Sequence, residues 1–206
     1  MELIRKYFPD LEHDQDLRFR TILEILPLLN RKVNVISRKD MQHLEERHIL
    51  HSLAIARTFE FHPGCSVVDV GTGGGFPGIP LAVMYPRARF VLVDSIGKKI
   101  GIVRELIRET GLRNATAVRS RAEQLEGTFD FSVCRAVAPF SRLYEWCGRL
   151  IRNGQGGNRP NGMIVLKGGE LDHELGEFRE KAEIIPISTL FEEPFFSTKK
   201  IVYLKK

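Results

Sequence analysis

The chain has 206 residues, of which 43% are hydrophobic and 28% charged, a composition that fits one globular domain and excludes disordered and fibrous classes. The net charge is +5, but residues 97–167 carry 13 basic against 6 acidic side chains, so the excess is concentrated there. Three cysteines without a CxxC pair and no apolar stretch of ~18 residues lead us to expect a cytoplasmic protein without disulfides, structural zinc or membrane contact.

The first part of the chain has the pattern of helices. Apolar residues recur at helical spacing in residues 17–29 and again in residues 40–59. His62-Pro63-Gly64 then interrupts this pattern. We therefore expect an N-terminal helical extension over residues 1–62 and one catalytic unit over residues 63–206.

Beyond residue 63, β-branched strands alternate with amphipathic helices, which is typical of a parallel α/β sheet covered on both faces. The predicted strands are 66–70, 89–93, 115–119, 129–135 and 163–167, and the predicted helices are 78–85, 98–109, 139–151 and 171–182. The tail, ending in residues 201–204, has the pattern of a strand pair. The glycine-rich residues 153–162 predict a mobile loop before the fifth strand.

A glycine-rich turn follows the first strand, with the sequence Asp69-Val70-Gly71-Thr72-Gly73-Gly74-Gly75-Phe76-Pro77-Gly78. Such a turn lets the backbone approach a ligand closely, and ligands of doubly wound folds bind at this edge of the sheet. Asp94 ends the second strand, where a carboxylate accepts hydrogen bonds from ribose hydroxyls. Both NAD and S-adenosylmethionine carry such a ribose.

Two observations favour S-adenosylmethionine over a dinucleotide. Pro77 and Pro80 remove amide donors from the turn that would hold a pyrophosphate. The rest of the chain is also used up in completing the sheet, which leaves no second catalytic domain for a dehydrogenase. A methyltransferase needs only the sheet, because its donor carries the reactive group.

The residues around this turn resemble a known family. Residues 68–82, with the proline-bearing glycine loop, closely resemble the signature of the bacterial small-subunit ribosomal RNA guanine-N7 methyltransferases, RsmG or GidB. Further matches are Leu92-Val93-Asp94-Ser95, Ser120-Arg121-Ala122-Glu123, Ser132-Val133-Cys134-Arg135-Ala136, Leu166-Lys167-Gly168, residues 30–35 and residues 46–53. The resemblance covers nearly the whole chain. Leu29 and His51 depart from it, since the family favours an aromatic residue and an aspartate there.

The resemblance implies a Rossmann-like class I methyltransferase with a mostly parallel seven-stranded sheet and S-adenosylmethionine as cofactor. It implies cofactor contacts by Asp69, Gly71, Gly73, Phe76, Asp94, Ser95, Ala122, Glu123 and Arg135. It places the catalytic residues at Arg135 and Lys167 and implies RNA contacts by Asn34, Arg47, His48 and Arg121. The expected partner is small-subunit ribosomal RNA or the small ribosomal subunit, and we expect a monomer without a metal site.

The chemistry of guanine N7 agrees with this implication, because N7 presents a lone pair and carries no proton, so no general base is needed. Cys134 is followed by Arg135 rather than proline, which favours a buried hydrophobe over a cytosine-methylating nucleophile. Lys167 leaves an alternative open, since ribose 2′-O methyltransferases use a lysine to activate the hydroxyl. A non-catalytic nucleotide-binding regulator is the second alternative.

The basic residues of the central stretch allow two interpretations. They either bind RNA phosphates around the site or are unrelated surface charges. Arg135 has a similar alternative as a structural ion-pair partner. The basic residues that allow the first two interpretations are Lys98, Lys99, Arg119, Arg121, Arg142, Arg149, Arg152 and Arg159.

Overall fold

The computed structural model describes residues 1–135 and 138–206; Ala136 and Val137, which belong to the motif after the fourth strand, lie outside these ranges. A seven-stranded sheet in the order β3-β2-β1-β4-β5-β7-β6 forms its centre. The strands are β1 (Ser66–Val70), β2 (Arg89–Asp94), β3 (Ala115–Arg119), β4 (Phe131–Arg135), β5 (Gly162–Gly168), β6 (Ala182–Pro186) and β7 (Lys199–Lys205). The expected Rossmann-like, mostly parallel sheet is confirmed, and the predicted strand pair of the tail is β6 and β7.

The strand order reverses at β1, which pairs in parallel with β2 on one side and β4 on the other. The carboxyl ends of these three strands therefore lie together, and they present Val70, Asp94 and Arg135 at one edge of the sheet. Such a reversal is where α/β folds open a crevice for ligands. Only β7 runs against the others in its pairings with β5 and β6.

Helices cover both faces of the sheet. The helices are α1 (Glu2–Tyr7), α2 (His13–Asn30), α3 (Arg38–Met41), α4 (His51–Leu53), α5 (Gly78–Met84), α6 (Gly97–Glu109), α7 (Phe140–Cys147) and α8 (Asp172–Leu175), with a π-helical turn at Glu45–Leu50. Successive β1 residues point to opposite faces, so Val67 joins one core and Val68 the other. The core that contains Val67 includes many side chains of residues 1–62, so the extension packs on the sheet.

Three predicted elements are shorter than expected. The helix expected over 171–182 ends at Leu175, because Gly176 adopts a left-handed φ of 49° and a separate strand begins at Ala182. The helix expected over 139–151 ends at Cys147 and continues only as a 3-10 turn. The fourth strand begins at Phe131, since Phe129 pairs with Ile151 in an isolated bridge instead.

The glycine-rich residues 153–162 form the predicted loop before β5, and parts of this loop make specific contacts; its mobility stays a prediction. Asn161 is buried, and its side chain bonds Asp130, the carbonyl of Arg152 and the amide of Gly156. A Cβ on Gly157 would overlap the carbonyl oxygen of Glu60. Gly157 therefore allows the backbone to pack closely at this point.

Candidate active site

The glycine turn after β1 is held by two carboxylates from neighbouring strands. Asp69 Oδ2 accepts hydrogen bonds from Thr72 Oγ1 at 2.6 Å and from the Gly78 amide at 2.8 Å. Asp94 Oδ2 accepts one from the amide of Gly73 at 3.1 Å, a residue whose φ of 59° is left-handed. The ends of β1 and β2 thus fix the conformation of the loop between them.

Asp69 lies beneath the loop and is fully buried. Burial is the main reason that its pKa is raised to about 7. Its Oδ1 atom has no hydrogen-bond partner among the described residues. A buried carboxylate oxygen without a partner is ready to accept a donor from a bound ligand. Asp69 does not line the cavity described next, so the structure places it under the loop, where it acts on the turn.

A cavity of about 300 Å³, which we name the glycine-loop cavity, opens at the ends of β1 and β2. It is lined by Val70, Gly71, Val93, Asp94, Ser95, Lys99, Ser120, Arg121, Ala122, Glu123 and Trp146. Five of the predicted cofactor residues therefore come together here: Gly71, Asp94, Ser95, Ala122 and Glu123. Arg121, predicted to bind RNA, lies at this cavity instead of with Arg47 and His48.

The residues of this cavity fit S-adenosylmethionine. Asp94 Oδ1 and Oδ2 each accept one amide, from Ile96 and Gly73, and a carboxylate has about four acceptor positions, so two remain for ribose hydroxyls. Gly71 adopts a left-handed φ of 72°, which brings backbone to the cavity wall.

Trp146 is a residue of this cavity that the sequence did not single out. It is the chain's only tryptophan and reaches the cavity from α7. Aromatic side chains stack on bases, so Trp146 offers a flat surface on which an adenine would stack. Arg149 supports another part of the cavity lining, because its guanidinium donates to the carbonyls of Ala122 and Glu123 at 2.8 and 2.9 Å.

A larger cavity of about 780 Å³, which we name the Arg135 cavity, lies at the ends of β4 and β5. It is lined by Asp40, Arg47, His48, His51, Arg135, Ala138, Pro139, Leu166, Lys167, Gly168, Glu174, Phe195 and Lys199. Both residues predicted to be catalytic, Arg135 and Lys167, therefore share one cavity with the predicted RNA residues Arg47 and His48. Residues from the N-terminal extension and the sheet thus build this site together.

Arg135 is held from three sides. Its Nη2 donates to His48 Nδ1 at 2.9 Å, its Nη1 donates to the Arg47 carbonyl at 3.4 Å, and its guanidinium lies 5.1 Å from the Phe76 ring centre. Burial lowers the pKa of Arg135 to about 10, so it stays charged at neutral pH. Phe76 belongs to the glycine turn but does not line the glycine-loop cavity, so this contact places Arg135 against the turn itself.

His48 is a neutral acceptor in this arrangement. Burial, followed by the charge of Arg135, lowers the pKa of His48 to about 3. Since arginine only donates, His48 Nδ1 must accept and its proton lies on Nε2. His48 therefore orients Arg135, and its ring edge also packs against Phe76 at 5.4 Å.

His51 stands where the resembling family favours aspartate, and it is buried against Phe195 and Phe196. Its Nε2 has no hydrogen-bond partner among the described residues. Burial lowers the pKa of His51 well below its ordinary value. The stability that neutral His51 contributes is present above pH ~6.5 and is lost as the pH falls below it, because only the unfolded chain then takes up the proton.

When the pH is lowered from about 7.5 to 5.5, the neutral His51 costs the wild type part of its free energy of unfolding. We expect this loss to be about 1 kcal/mol smaller in His51→Gln. Urea unfolding at both pH values measures this difference. The opposing effect of Asp69, whose pKa is raised by burial, is present in both proteins and cancels. His62→Gln at an exposed position is the control and should keep the wild-type pH dependence. An unchanged pH dependence for His51→Gln would contradict the assignment.

Lys167 lies one residue before the end of β5 and is buried. Its ammonium donates to the carbonyl of Ala138 at 2.7 Å and to Glu174 Oε1 at 2.5 Å. An ammonium that is paired with a carboxylate has no lone pair with which to accept a proton. The contacts therefore favour a positioning role for Lys167 over that of a general base.

Two further groups of predicted residues lie elsewhere. Asn34 is exposed and lines a separate cavity beside α2. Arg152 pairs with Asp130 at 2.7 Å, and Arg159 pairs with Glu183. Part of the basic central stretch therefore has a structural role, which favours the second of the two interpretations for these arginines.

In residues 1–135 and 138–206, no helix is long and apolar enough to cross a membrane. Over the same residues, His, Cys, Asp and Glu side chains form no group of three or more that could hold a metal ion. The three cysteines are free thiols.

Comparison with known proteins agrees with this geometry. The family described as "GidB: rRNA small subunit methyltransferase G" matches residues 15–200. The ribosomal RNA small subunit methyltransferase G of Bacteroides thetaiotaomicron is 50% identical over 203 residues, which cover 98% of each chain. The protein of the same name from Christiangramia forsetii is 50% identical and covers 99% of this chain and 96% of its own.

Solved structures show the same fold at low identity. Magnesium protoporphyrin IX methyltransferase from Synechocystis, solved with bound S-adenosylmethionine, has a TM-score of 0.58 at 13% identity and covers 96% of this chain and 99% of its own. An rRNA methylase from Streptococcus thermophilus has a TM-score of 0.53 at 12% identity, covering 77% and 94%. Since the family matches almost the whole chain and the fold is that of class I methyltransferases, the chain belongs to the rRNA small subunit methyltransferase G family of S-adenosylmethionine-dependent enzymes.

Proposed function

We propose that the protein transfers the methyl group of S-adenosylmethionine to N7 of a guanosine in small-subunit ribosomal RNA. The contact between Arg135 and Phe76 carries this proposal. It joins Arg135, which lines a cavity that is open to a base, to the glycine turn, whose Gly71 lines the cavity that fits the donor. One end of the sheet therefore holds both reactants side by side.

Bound S-adenosylmethionine supplies an electrophilic methyl group on a sulfonium. The chain's task is to hold the donor and the base in line, because guanine N7 has a free lone pair and no proton to lose. Burial lowers the pKa values of His48 and His51, so both stay neutral and accept protons poorly. This agrees with a reaction that needs no general base. Cys134 is buried beside Cys147, and the reaction does not need it as a general base or as a nucleophile.

Arg135 orients the two reactants. Its planar guanidinium has five N–H donors, of which two are used by His48 and the Arg47 carbonyl. The remaining donors suit acceptor oxygens, such as guanine O6 or the methionine carboxylate of the donor. Arg47 and His48 support this orientation from the extension, and Lys167 and Glu174 close the other side of the Arg135 cavity.

The direct test is incubation of the protein with small-subunit RNA and methyl-labelled S-adenosylmethionine, followed by nucleoside analysis. We expect label in N7-methylguanosine only. No incorporation would favour the non-catalytic regulator. A ligand stabilises the state that binds it, so the thermal unfolding midpoint should rise with S-adenosylhomocysteine and not with NAD. This result would distinguish an S-adenosylmethionine enzyme from a dehydrogenase.

The ribose 2′-O alternative depends on Lys167. We expect Lys167→Ala to reduce N7 methylation about tenfold, through loss of a charged hydrogen bond that orders the cavity wall, while leaving the 2′-hydroxyl unmodified in both proteins. Mass spectrometry of nuclease-digested RNA measures both products. Lys181→Ala, at an exposed site before β6, is the control. A 2′-O-methyl product that disappears with Lys167 would establish the alternative instead.

We also propose that the enzyme acts as a monomer in the cytoplasm, with a helical extension over residues 1–62 and a catalytic unit over residues 63–206. The extension and the sheet share one hydrophobic core, which supports treating them as two parts of one folded unit.

A further inference from the structure

We propose that a third cavity, formed by the N-terminal extension, binds RNA phosphates that flank the target guanosine; this rests on the proposed function. The cavity, which we name the basic cavity, has a volume of about 670 Å³ and lies where α2 gives way to α3. Its polar lining comes from Asn30, Arg31, Lys32, Asn34 and Arg38. No acidic side chain is among its described lining residues.

The loop that carries these cations has a fixed shape. Asn30 Nδ2 donates to the carbonyl of Ile36 at 2.8 Å, and its Oδ1 accepts from the amides of Val35 and Ile36 at 2.8 and 3.0 Å. Val35 packs on the glycine turn, since a Cβ on Gly74 would lie 3.0 Å from Val35 Cγ2. The basic loop is therefore set in place against the donor-binding loop, which lowers the entropic cost of binding.

Charge is segregated within an extension that is neutral as a whole. Residues 30–41 carry four cations and one carboxylate, Asp40, which pairs with Arg47 at 3.1 Å. Elsewhere in the extension, Arg18 and Arg20 do have acidic partners on α2.

In the described part of the chain, neither Arg31, Lys32 nor Arg38 has a carboxylate within 4.0 Å. The pKa of Glu105 on α6 is lowered mainly by Arg108. The charge of Lys32 makes a smaller contribution in the same direction. When such cations neutralise RNA phosphates, the counterions condensed on the RNA are released, and neighbouring amides such as Asn34 can donate to phosphate oxygens.

The basic cavity adjoins the Arg135 cavity across one turn of helix. The helix α3 contributes Arg38 and Met41 to the basic cavity and Asp40 to the Arg135 cavity. A strand whose guanosine enters the Arg135 cavity therefore brings its neighbouring phosphates to Arg38. This proximity favours a phosphodiester chain over a free small anion.

The test compares salt dependence of RNA binding by the full-length protein. In the triple variant Arg31→Gln, Lys32→Gln and Arg38→Gln, we expect the slope of log K against log salt to fall in magnitude by about 2, and affinity near 0.15 M salt to fall about tenfold or more. Fluorescence anisotropy with unmodified small-subunit RNA measures both. The affinity for S-adenosylhomocysteine should stay at the wild-type value.

A matched control removes the same charge from the opposite edge of the sheet. Arg87, Arg113 and Lys181 are exposed, precede β2, β3 and β6, and have no ion pair among the described residues. The slope of log K against log salt for their triple glutamine variant should stay within about 0.5 of the wild-type slope. Equal slopes for the two triple variants would overturn the proposal.

Two more variants separate charge from structure. Arg31→Lys with Arg38→Lys keeps the cations and should keep the slope; the same loss as in the glutamine variant would overturn the proposal in favour of a structural role at the end of α2. Arg38→Gln alone should lower the slope by about 0.7–0.9, which keeps the test available if the triple variant folds poorly. A wild-type protein that binds RNA with these slopes but does not methylate it would refute the proposed function alone.

Discussion

Arg135→Ala should lower kcat/KM for methyl transfer by about 100- to 1,000-fold, the range found when one preorganised donor is removed from an active site. The guanidinium touches His48, the Arg47 carbonyl and Phe76, so its loss removes the contact between the Arg135 cavity and the glycine turn. Steady-state rates with labelled donor and small-subunit RNA measure the effect. We expect no rescue by Arg135→Lys, because an ammonium cannot reproduce the planar fork that bonds both partners.

The control for this variant is Arg113→Ala, which removes an exposed arginine that precedes β3 at the other edge of the sheet. It should keep wild-type rates. A kcat/KM within about threefold of the wild type for Arg135→Ala would show that Arg135 has no part in orienting the reactants.

Asp94→Asn should weaken S-adenosylhomocysteine binding by about 100-fold or more, since hydrogen bonds to charged groups contribute about 1.5–3 kcal/mol each and Asp94 is expected to accept two from the ribose. The carboxylate also holds the amides of Gly73 and Ile96, so the variant loosens the turn itself. The fluorescence of Trp146, the single tryptophan, reports binding directly from the cavity wall.

Asp10→Asn is the matched control, because Asp10 is exposed between α1 and α2 and lies outside the glycine-loop cavity. Calorimetry should give it the wild-type affinity. If Asp94→Asn binds S-adenosylhomocysteine as tightly as the control does, the ribose is held elsewhere.

The elements that the sequence predicts well are those with a local cause. The strand over 66–70, the glycine turn and Asp94 follow from β-branched runs and glycines that act within a few residues, and the structure has them at these positions. The helix over 171–182 was predicted too long, because its pattern does not reveal that Gly176 takes a left-handed φ. The close packing at Gly157 could not be predicted, since only the fold brings the backbone of Glu60 against it.

The interior of the site depends on contacts between distant residues. Arg135 and His48 are 87 residues apart, and nothing in their local pattern predicts that the arginine donates to the imidazole. Trp146 gave no signal either, because a lone aromatic residue on an amphipathic helix has the pattern of a core residue. The family resemblance supplied the residue set, and the strand order explains why those residues meet.

The central claim is tested most directly by mass spectrometry of nucleosides from small-subunit ribosomal RNA of a strain that lacks this protein. We predict that one N7-methylguanosine is missing, that the wild-type gene restores it, and that the Arg135→Ala gene does not. Unchanged N7-methylguanosine in the deletion strain, or the loss of a 2′-O-methylated nucleoside in its place, would contradict the account.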